Sequence, residues 1–391
     1  MTSASLQGIK VMRRSLFLVS LPIFFVTFAL PIQSKNLGAN ALEIGGLFSL
    51  FTFSILLMRP LIGAGIDRFG RRSFFLVSIV FYLGAYMAYT LASGIEAMYA
   101  ARFFQGIGAS LLLITVDAMT ADMSLEEERS EAMGKNIEIQ TRSSVVGATI
   151  GFTLLGAVPI LAWTYSFGLF TLFATVALIY ALVKLPETKP VKITGDIDKF
   201  QLRPELKKLL FIYIFLGIAS ALIMPIYMIY LQDEYTSNMT YLSWAFLPAA
   251  VVMMVLPSKL GRFVDGRNPE MLMTLAIALG GMFYIWMPLT NTFWYIVAVY
   301  TLSSIAWALI GPTRKSLTIA ATSPSGIARA IGLSEMAFGA GATAGPLLGG
   351  YLYDQVSHTS PFYFNGFVMI IAAIMSLIML NTSKIRAEAN C

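Results

Sequence analysis

Twelve runs of about 20 apolar residues succeed one another along the chain, at 15–33, 42–62, 73–93, 97–118, 135–157, 162–184, 208–231, 240–260, 271–289, 293–312, 329–352 and 362–381. Each is long enough to cross a hydrocarbon core about 30 Å thick. No water is present there to bond free N–H and C=O groups. A spanning segment therefore closes its bonds on itself as a helix, or across strands in a closed barrel. Barrel strands are alternating segments of about ten residues, and runs twice that long are not such strands. Only 12% of the residues are charged, against roughly 25% in soluble domains. The sequence predicts an all-α polytopic membrane protein with twelve transmembrane helices.

Charge gives the orientation. Of the 27 Lys and Arg residues, 23 fall in segments on the same side as the N-terminus when the spans are threaded in turn. Lys35 alone falls on the other side, and Arg59, Arg102 and Arg142 fall within spans. Basic residues accumulate in cytoplasmic loops, so both termini are predicted in the cytoplasm. The compact loops suit a bacterial plasma membrane. Lys10, Arg13 and Arg14 ahead of the first run give it the look of a secretory signal. The run is longer than a signal's apolar region and no clear small-residue cleavage site follows, so it reads as an uncleaved first helix. The net charge of +6 is spread over seven segments, whereas a nucleic-acid binder gathers it on one face. No nucleic-acid partner is expected. Cys391 is the one cysteine and His358 the one histidine. That excludes a disulfide framework, a cysteine-based metal cluster and a haem or zinc-peptidase site. No metal, cofactor or enzymatic activity is expected.

The polar stretch LPETKPVKITGDIDKFQLRPELKK, 185–208, divides the spans into two sets of six. The organisation read from it is a six-helix bundle at 1–185, a linker at 186–207 and a second bundle at 208–391. The halves match at an offset of 198 residues. Gly63 and Asp67 map onto Gly261 and Asp265, Ala132 and Gly134 onto Ala330 and Gly332, and Gly147 and Gly151 onto Gly345 and Gly349. The last match also holds at an offset of 194. Six spans between equivalents give both copies the same orientation, so the repeat is parallel, with its axis along the membrane normal.

Two motifs carry a resemblance. GAGIDRFGRR places Gly63, Asp67, Arg68, Gly70, Arg71 and Arg72 in the pattern G-x-x-x-D-R-x-G-R-R between the second and third helices. RFFQGIGAS in the fourth helix supplies Arg102, Gln105, Gly106, Gly108 and Ala109. With the linker and topology, they make the chain similar over its whole length to the major facilitator superfamily. The resemblance implies two pseudo-symmetric six-helix halves. Gly65 to Ser73 also approaches a phosphate-binding loop, but Arg replaces its Lys and no strand precedes it, so transport driven by ATP is not expected.

Asp67 is an anion at a helix end, where the unpaired N–H groups of another helix's N-terminus attract negative charge. By resemblance its partner is the start of the eleventh helix. Arg68, Arg71 and Arg72 are expected to pair with Asp122 or with Glu126, Glu127 and Glu128, closing a cytoplasmic gate. The second copy holds Asp265 but has Gly266 where the first has Arg68.

Charges within spans are functional candidates by default. Arg102 lies about two turns inside the fourth helix, and by resemblance modulates protonation of a nearby acid. Glu138 and Arg142 are four apart on the fifth helix and share a face. Asp117 is expected at similar depth. The three either exchange a proton or form a permanent ion pair pinning two helices. Glu335 near the start of the eleventh helix is either a second proton site or neutralises the helix end near Arg329. Gly147 and Gly151, with Gly345, Pro346 and Gly349, resemble the glycine-rich bend of family antiporters, although Phe152 stands where the bend has proline. Close packing of small residues accounts for them equally.

By analogy with the family the transport cavity is lined by the first, fourth, seventh and tenth helices. The candidates there are Phe28, Gln33, Tyr227, Tyr230, Ser303 and Trp307. Aromatic and methionine side chains adapt to varied apolar shapes. The expectation is a monomeric, proton-coupled exporter of small amphipathic compounds in a lipid bilayer, resembling the twelve-helix drug–proton antiporter branch. A sugar, metabolite or lipid-linked substrate carrier is the alternative, and a non-transporting scaffold a further one.

Overall fold

The computed structural model describes residues 3–124, 129–157, 161–188, 202–264, 267–289, 292–322 and 326–379. Among them every regular element is helical and no strand occurs. The first elements are α1 (Ser3–Ser20), α2 (Pro22–Asn36), α3 (Ala41–Phe69), α4 (Arg71–Thr90), α5 (Ile95–Met123), α6 (Arg129–Ala157) and α7 (Ala162–Lys184). Then come α8 (Pro204–Glu234), α9 (Met239–Trp244), α10 (Leu247–Val264), α11 (Pro269–Trp286, continued by a single 3-10 turn), α12 (Phe293–Ala320), α13 (Ile327–Gln355) and α14 (Ser360–Met379).

Each predicted span coincides with one helix or with two in succession. Nine helical stretches among the described residues are long and apolar enough to cross a membrane. α6, which carries Lys135, Glu138 and Arg142, is not one of them, nor are α10 and α13. The first span is interrupted at Leu21 because Pro22 has no N–H to donate to the preceding turn. Leu21 keeps a helical backbone, φ −49° and ψ −46°, so α1 and α2 still run on as one span from Gln7 to Asn36.

The stretch 63–73, expected as a loop, is almost wholly helix. α3 continues to Phe69 and α4 begins at Arg71, leaving Gly70 alone between them. Gly70 reverses the chain with φ +86° and ψ 153°, a region of backbone space that is essentially restricted to glycine. Charged side chains that end an apolar span need not end its helix.

Packing groups the chain into two compact units, Met1–Ala39 with Leu50–Thr194, and Asn40–Ser49 with Gly195–Cys391. The division departs from the expected halves at residues 40–49, the opening turns of α3. In the first unit the core is aromatic. The buried Phe25 ring lies 5.5 Å from Phe152, 6.0 Å from Trp163 and 5.8 Å from Phe167. Gly147 and Gly151 bring α6 against α1 and α2. A methyl group at Gly147 would overlap the Leu21 carbonyl, and one at Gly151 the Phe25 ring. Gly106 meets α3 in the same way at the Phe51 carbonyl and Ser54, and Gly108 meets α4 at Ser78 and Tyr82.

In the second unit a stripe of glycines on α13 performs this role. Methyl groups at Gly341, Gly345 and Gly349 would meet the Ile214, Ile218 and Leu222 carbonyls of α8. Lipid offers no hydrophobic drive between helices, so close backbone approach through small residues is what holds them. Several threonine hydroxyls are satisfied within their own helix. Thr120, Thr171, Thr301, Thr313 and Thr343 each donate to the carbonyl four residues back.

Candidate functional site

The turn around Gly70 is built by charge. Arg71 Nε donates to Asp122 Oδ2 at 2.7 Å, with both side chains 9% exposed. This ties the start of α4 to the end of α5, as the sequence suggested for Asp122. Arg72 reaches the Leu182 carbonyl instead, at 2.7 Å. The surprise is Glu187, which accepts from the backbone N–H groups of Arg71 at 2.8 Å and Arg72 at 3.2 Å. An acid at a helix N-terminus satisfies orphan donors and complements the dipole. Glu187 was missed because 116 residues separate it from Arg71, and no local pattern signals such a cap. Gly63, Asp67 and Arg68 lie on the final turns of α3, but their side chains, and Glu126, Glu127, Glu128 and Asp265, lie outside the described residues.

Arg102 is 3% exposed, two turns into α5. Its NH1 donates to Gln105 Oε1 at 3.1 Å, and the Tyr89 hydroxyl donates to the same oxygen at 3.0 Å. Trp163 Nε1 donates to the Tyr89 carbonyl at 2.9 Å. The guanidinium lies 5.2 Å from the Phe51 ring centroid, a cation–π distance. The RFFQG motif thus places one carbonyl acceptor between two buried donors.

On α6, Arg142 pairs with Glu138, and their side chains are 71% and 50% exposed. Asp117 on α5 is exposed as well. All three side chains are thus exposed on the surface of their unit rather than buried in its core. A network the sequence did not suggest lies nearby. Arg13 donates to Asn136 Oδ1 at 2.9 Å and to the Ala132 carbonyl at 3.0 Å, and Asn136 donates to Thr120 Oγ1 at 2.7 Å. Arg13, counted as a topology residue, joins α1 to α6, and through Asn136 to α5.

In the second unit, Arg314 NH2 bonds Glu335 Oε1 at 2.5 Å, with side chains 12% and 32% exposed. The cation that Glu335 meets comes from α12. The guanidinium sits 4.3 Å from the Phe338 ring and 5.7 Å from that of Tyr213. Tyr213 in turn donates to the Arg314 carbonyl at 3.0 Å. The tenth apolar run ends at 312, short of Arg314, whereas α12 continues through it to Ala320.

Of the cavity candidates, Tyr227 stacks on Tyr300 with centroids 4.0 Å apart and planes at 11°. Trp307 is half-buried and donates from Nε1 to the Tyr284 hydroxyl at 3.1 Å. The Ser303 hydroxyl turns back to the Tyr300 carbonyl. Tyr230 is buried against Phe362, 4.7 Å between centroids. Phe28 and Gln33 are half-buried on α2. No group of three or more metal-ligating side chains occurs among the described residues.

A family model described as the Major Facilitator Superfamily matches residues 15–313 and 209–390. The chain belongs to the Major Facilitator Superfamily. It is a multi-pass membrane transporter, and its similarity to other superfamily members extends from end to end. Multidrug resistance protein 2 of Bacillus subtilis is 20% identical over 397 residues, covering 97% of this chain and 98% of that protein. Quinolone resistance protein NorA of Staphylococcus aureus is 23% identical over 169 residues, 40% of this chain and 44% of that one. Among solved superfamily folds, a variant of the nucleoside transporter NupG aligns with a TM-score of 0.76 at 12% identity, covering 97% of this chain and 100% of that one. The human organic anion transporter MFSD10 aligns with a TM-score of 0.67 at 17% identity, covering 96% and 100%. At such identities these two speak for the fold alone.

Proposed function

We propose that this superfamily member exports small amphipathic organic compounds in exchange for protons, by alternating access. What carries the reading is the likeness to a multidrug resistance protein over 97% of the chain. The charged pairs of the helices support the proton part. An arginine next to a carboxylate favours its ionised form, while withdrawal from water favours the neutral one. When Glu335 takes up a proton, its charge is lost and Arg314 is released; when the proton leaves, the pair re-forms. Glu138 with Arg142, together with Asp117 and Arg102, is the second candidate for the same task. Phe28, Gln33, Tyr227, Tyr230, Ser303 and Trp307 are the proposed substrate contacts. Gly63, Asp67, Arg68, Gly70, Arg71, Arg72, Asp122 and Asp265 are the proposed cytoplasmic gate. In this reading a monomer of twelve helices rocks its halves, 1–185 and 208–391, about the linker 186–207. Both termini face the cytoplasm of a bacterial plasma membrane. Gly147, Gly151, Gly345, Pro346 and Gly349 supply close contact and bending within the halves.

The test uses purified protein in liposomes with a trapped pH dye and an imposed gradient. Lipophilic cations, neutral drugs, sugars and amino acids are added one at a time. Lipophilic cations are expected to drive proton movement that Glu335→Gln abolishes and Glu138→Gln reduces. Solute exchange with no proton movement for any compound would make the protein a facilitator.

A further inference from the structure

α3 is one continuous helix, yet its first turns, residues 40–49, pack with the second unit while the remainder packs with the first. The attachment is specific. Asp354, at the end of α13, accepts from the backbone N–H of Ala41 through Oδ1 at 3.2 Å and from that of Leu42 through Oδ2 at 2.8 Å. Beneath it the backbones nearly touch. A methyl group at Gly350 would overlap the Ala41 carbonyl, and one at Gly45 the Pro346 carbonyl. Asn40 and Glu43 complete the end with a reciprocal cap. Glu43 N–H donates to Asn40 Oδ1 at 2.8 Å, and Asn40 N–H to Glu43 Oε2 at 2.9 Å.

The division of work at this helix end is informative. A helix start leaves its first N–H groups without intrahelical partners, and a capping box closes two of the local donors. Here the box closes Asn40 and Glu43, while Ala41 and Leu42 are served by a carboxylate more than 300 residues away in sequence. A helix needing only stability can draw such caps from its own flanking residues or from water. A charged cap from a distant helix holds firmly while docked, and water can replace it when the helix withdraws.

We propose that Asp354 is a reversible latch on the first turn of α3, docked in this structure and released when residues 40–49 part from α13. The proposal rests on the alternating-access reading above, but on no particular substrate or coupling ion. Gly45 and Gly350 let the two backbones meet, and Asp354 supplies the charge that makes the docked state preferred.

The experiment follows the docking itself, without transport. In full-length protein carrying Cys391→Ser, Ala41→Cys provides one thiol at a position 4% exposed when docked. A reversible latch gives slow labelling by a maleimide that goes to completion in folded protein. Adding Asp354→Ala accelerates it at least tenfold, and Asp354→Asn gives an intermediate rate. Labelling only after denaturation, or equal rates with and without Asp354, overturns the proposal. Hydrogen–deuterium exchange on protein with Ala41 intact reads the same two amides directly. Exchange at 41–42 is expected to rise at least tenfold in Asp354→Ala while the start of α5 is unchanged, and no rise overturns the proposal. Failure of every substrate in the liposome assay, with the latch opening as described, refutes the export reading and leaves the latch standing.

Discussion

Gly345→Ala and Gly332→Ala make the same chemical change in the same helix, and the structure gives them opposite signs. A methyl group at Gly332 would meet nothing within 4 Å, whereas one at Gly345 would lie 2.5 Å from the Ile218 carbonyl and 3.0 Å from Leu222 N of α8. Both neighbours are backbone and cannot rotate away. Relaxed contact would require α8 and α13 to separate by roughly 1 Å, which also loosens the fit at Gly341 and Gly349. Overpacking of this kind costs about 1–3 kcal/mol. Replacing an interior glycine by alanine returns up to about 1 kcal/mol of helix propensity at either site. The net expectation is a loss of up to about 2 kcal/mol for Gly345→Ala and a gain of up to about 1 kcal/mol for Gly332→Ala. Equilibrium unfolding of the purified variants in mixed micelles measures the difference. A Gly345→Ala protein as stable as Gly332→Ala would show that the glycine stripe of α13 is not a packing device.

Other substitutions test the polar contacts. Arg71→Ala leaves the Asp122 carboxylate without its nearly buried partner, and is expected to destabilise by about 3 kcal/mol in the same assay; Arg71→Lys should recover part of this. Gln105→Leu removes the acceptor shared by Arg102 and Tyr89, and about 1–3 kcal/mol should be lost, with little change for Gln105→Glu. Glu187→Ala opens the N-terminus of α4 and is expected to cost about 1 kcal/mol, read as faster amide exchange at Arg71 and Arg72. Glu335→Gln should change stability by less than about 1 kcal/mol, because a third of the side chain is exposed, and should still abolish proton movement in liposomes.

The helices themselves were legible because lipid imposes one solution on an apolar run, and Gly147, Gly151, Gly345 and Gly349 were legible as a spacing of four. Their use was not. α6 continues from Arg129 to Ala157 and α13 from Ile327 to Gln355, and their glycines face the first helices of their own units. A spacing names a helix face but not the neighbour it meets. The turn at Gly70 was misread for a related reason. Charged residues mark where a span leaves the hydrocarbon, and α3 stays helical to Phe69, about two turns beyond the end of the apolar run at 62. Glu187 and Asp354 had no sequence signal, since each caps a helix that is remote along the chain.

The two acid–arginine pairs carry unequal information about coupling. Glu138 and Arg142 are four residues apart, so they meet on any helix that contains them, whatever packs around it, and both are at least half exposed. Arg314 and Glu335 meet only because α12 continues past Pro312. Thr313 helps there by donating to the Leu309 and Ile310 carbonyls, near the site where proline removes a backbone donor. Hydropathy falls at that proline, which is why the sequence placed Arg314 beyond the helix. A pair that tertiary structure must create, set between the Phe338 and Tyr213 rings, depends on how α12 and α13 approach each other. Its strength can therefore change with conformation, which a proton site must do if protonation is to drive a structural step. If both acids are neutralised singly, Glu335→Gln should remove coupling more completely than Glu138→Gln, and the reverse order would return the proton site to α6.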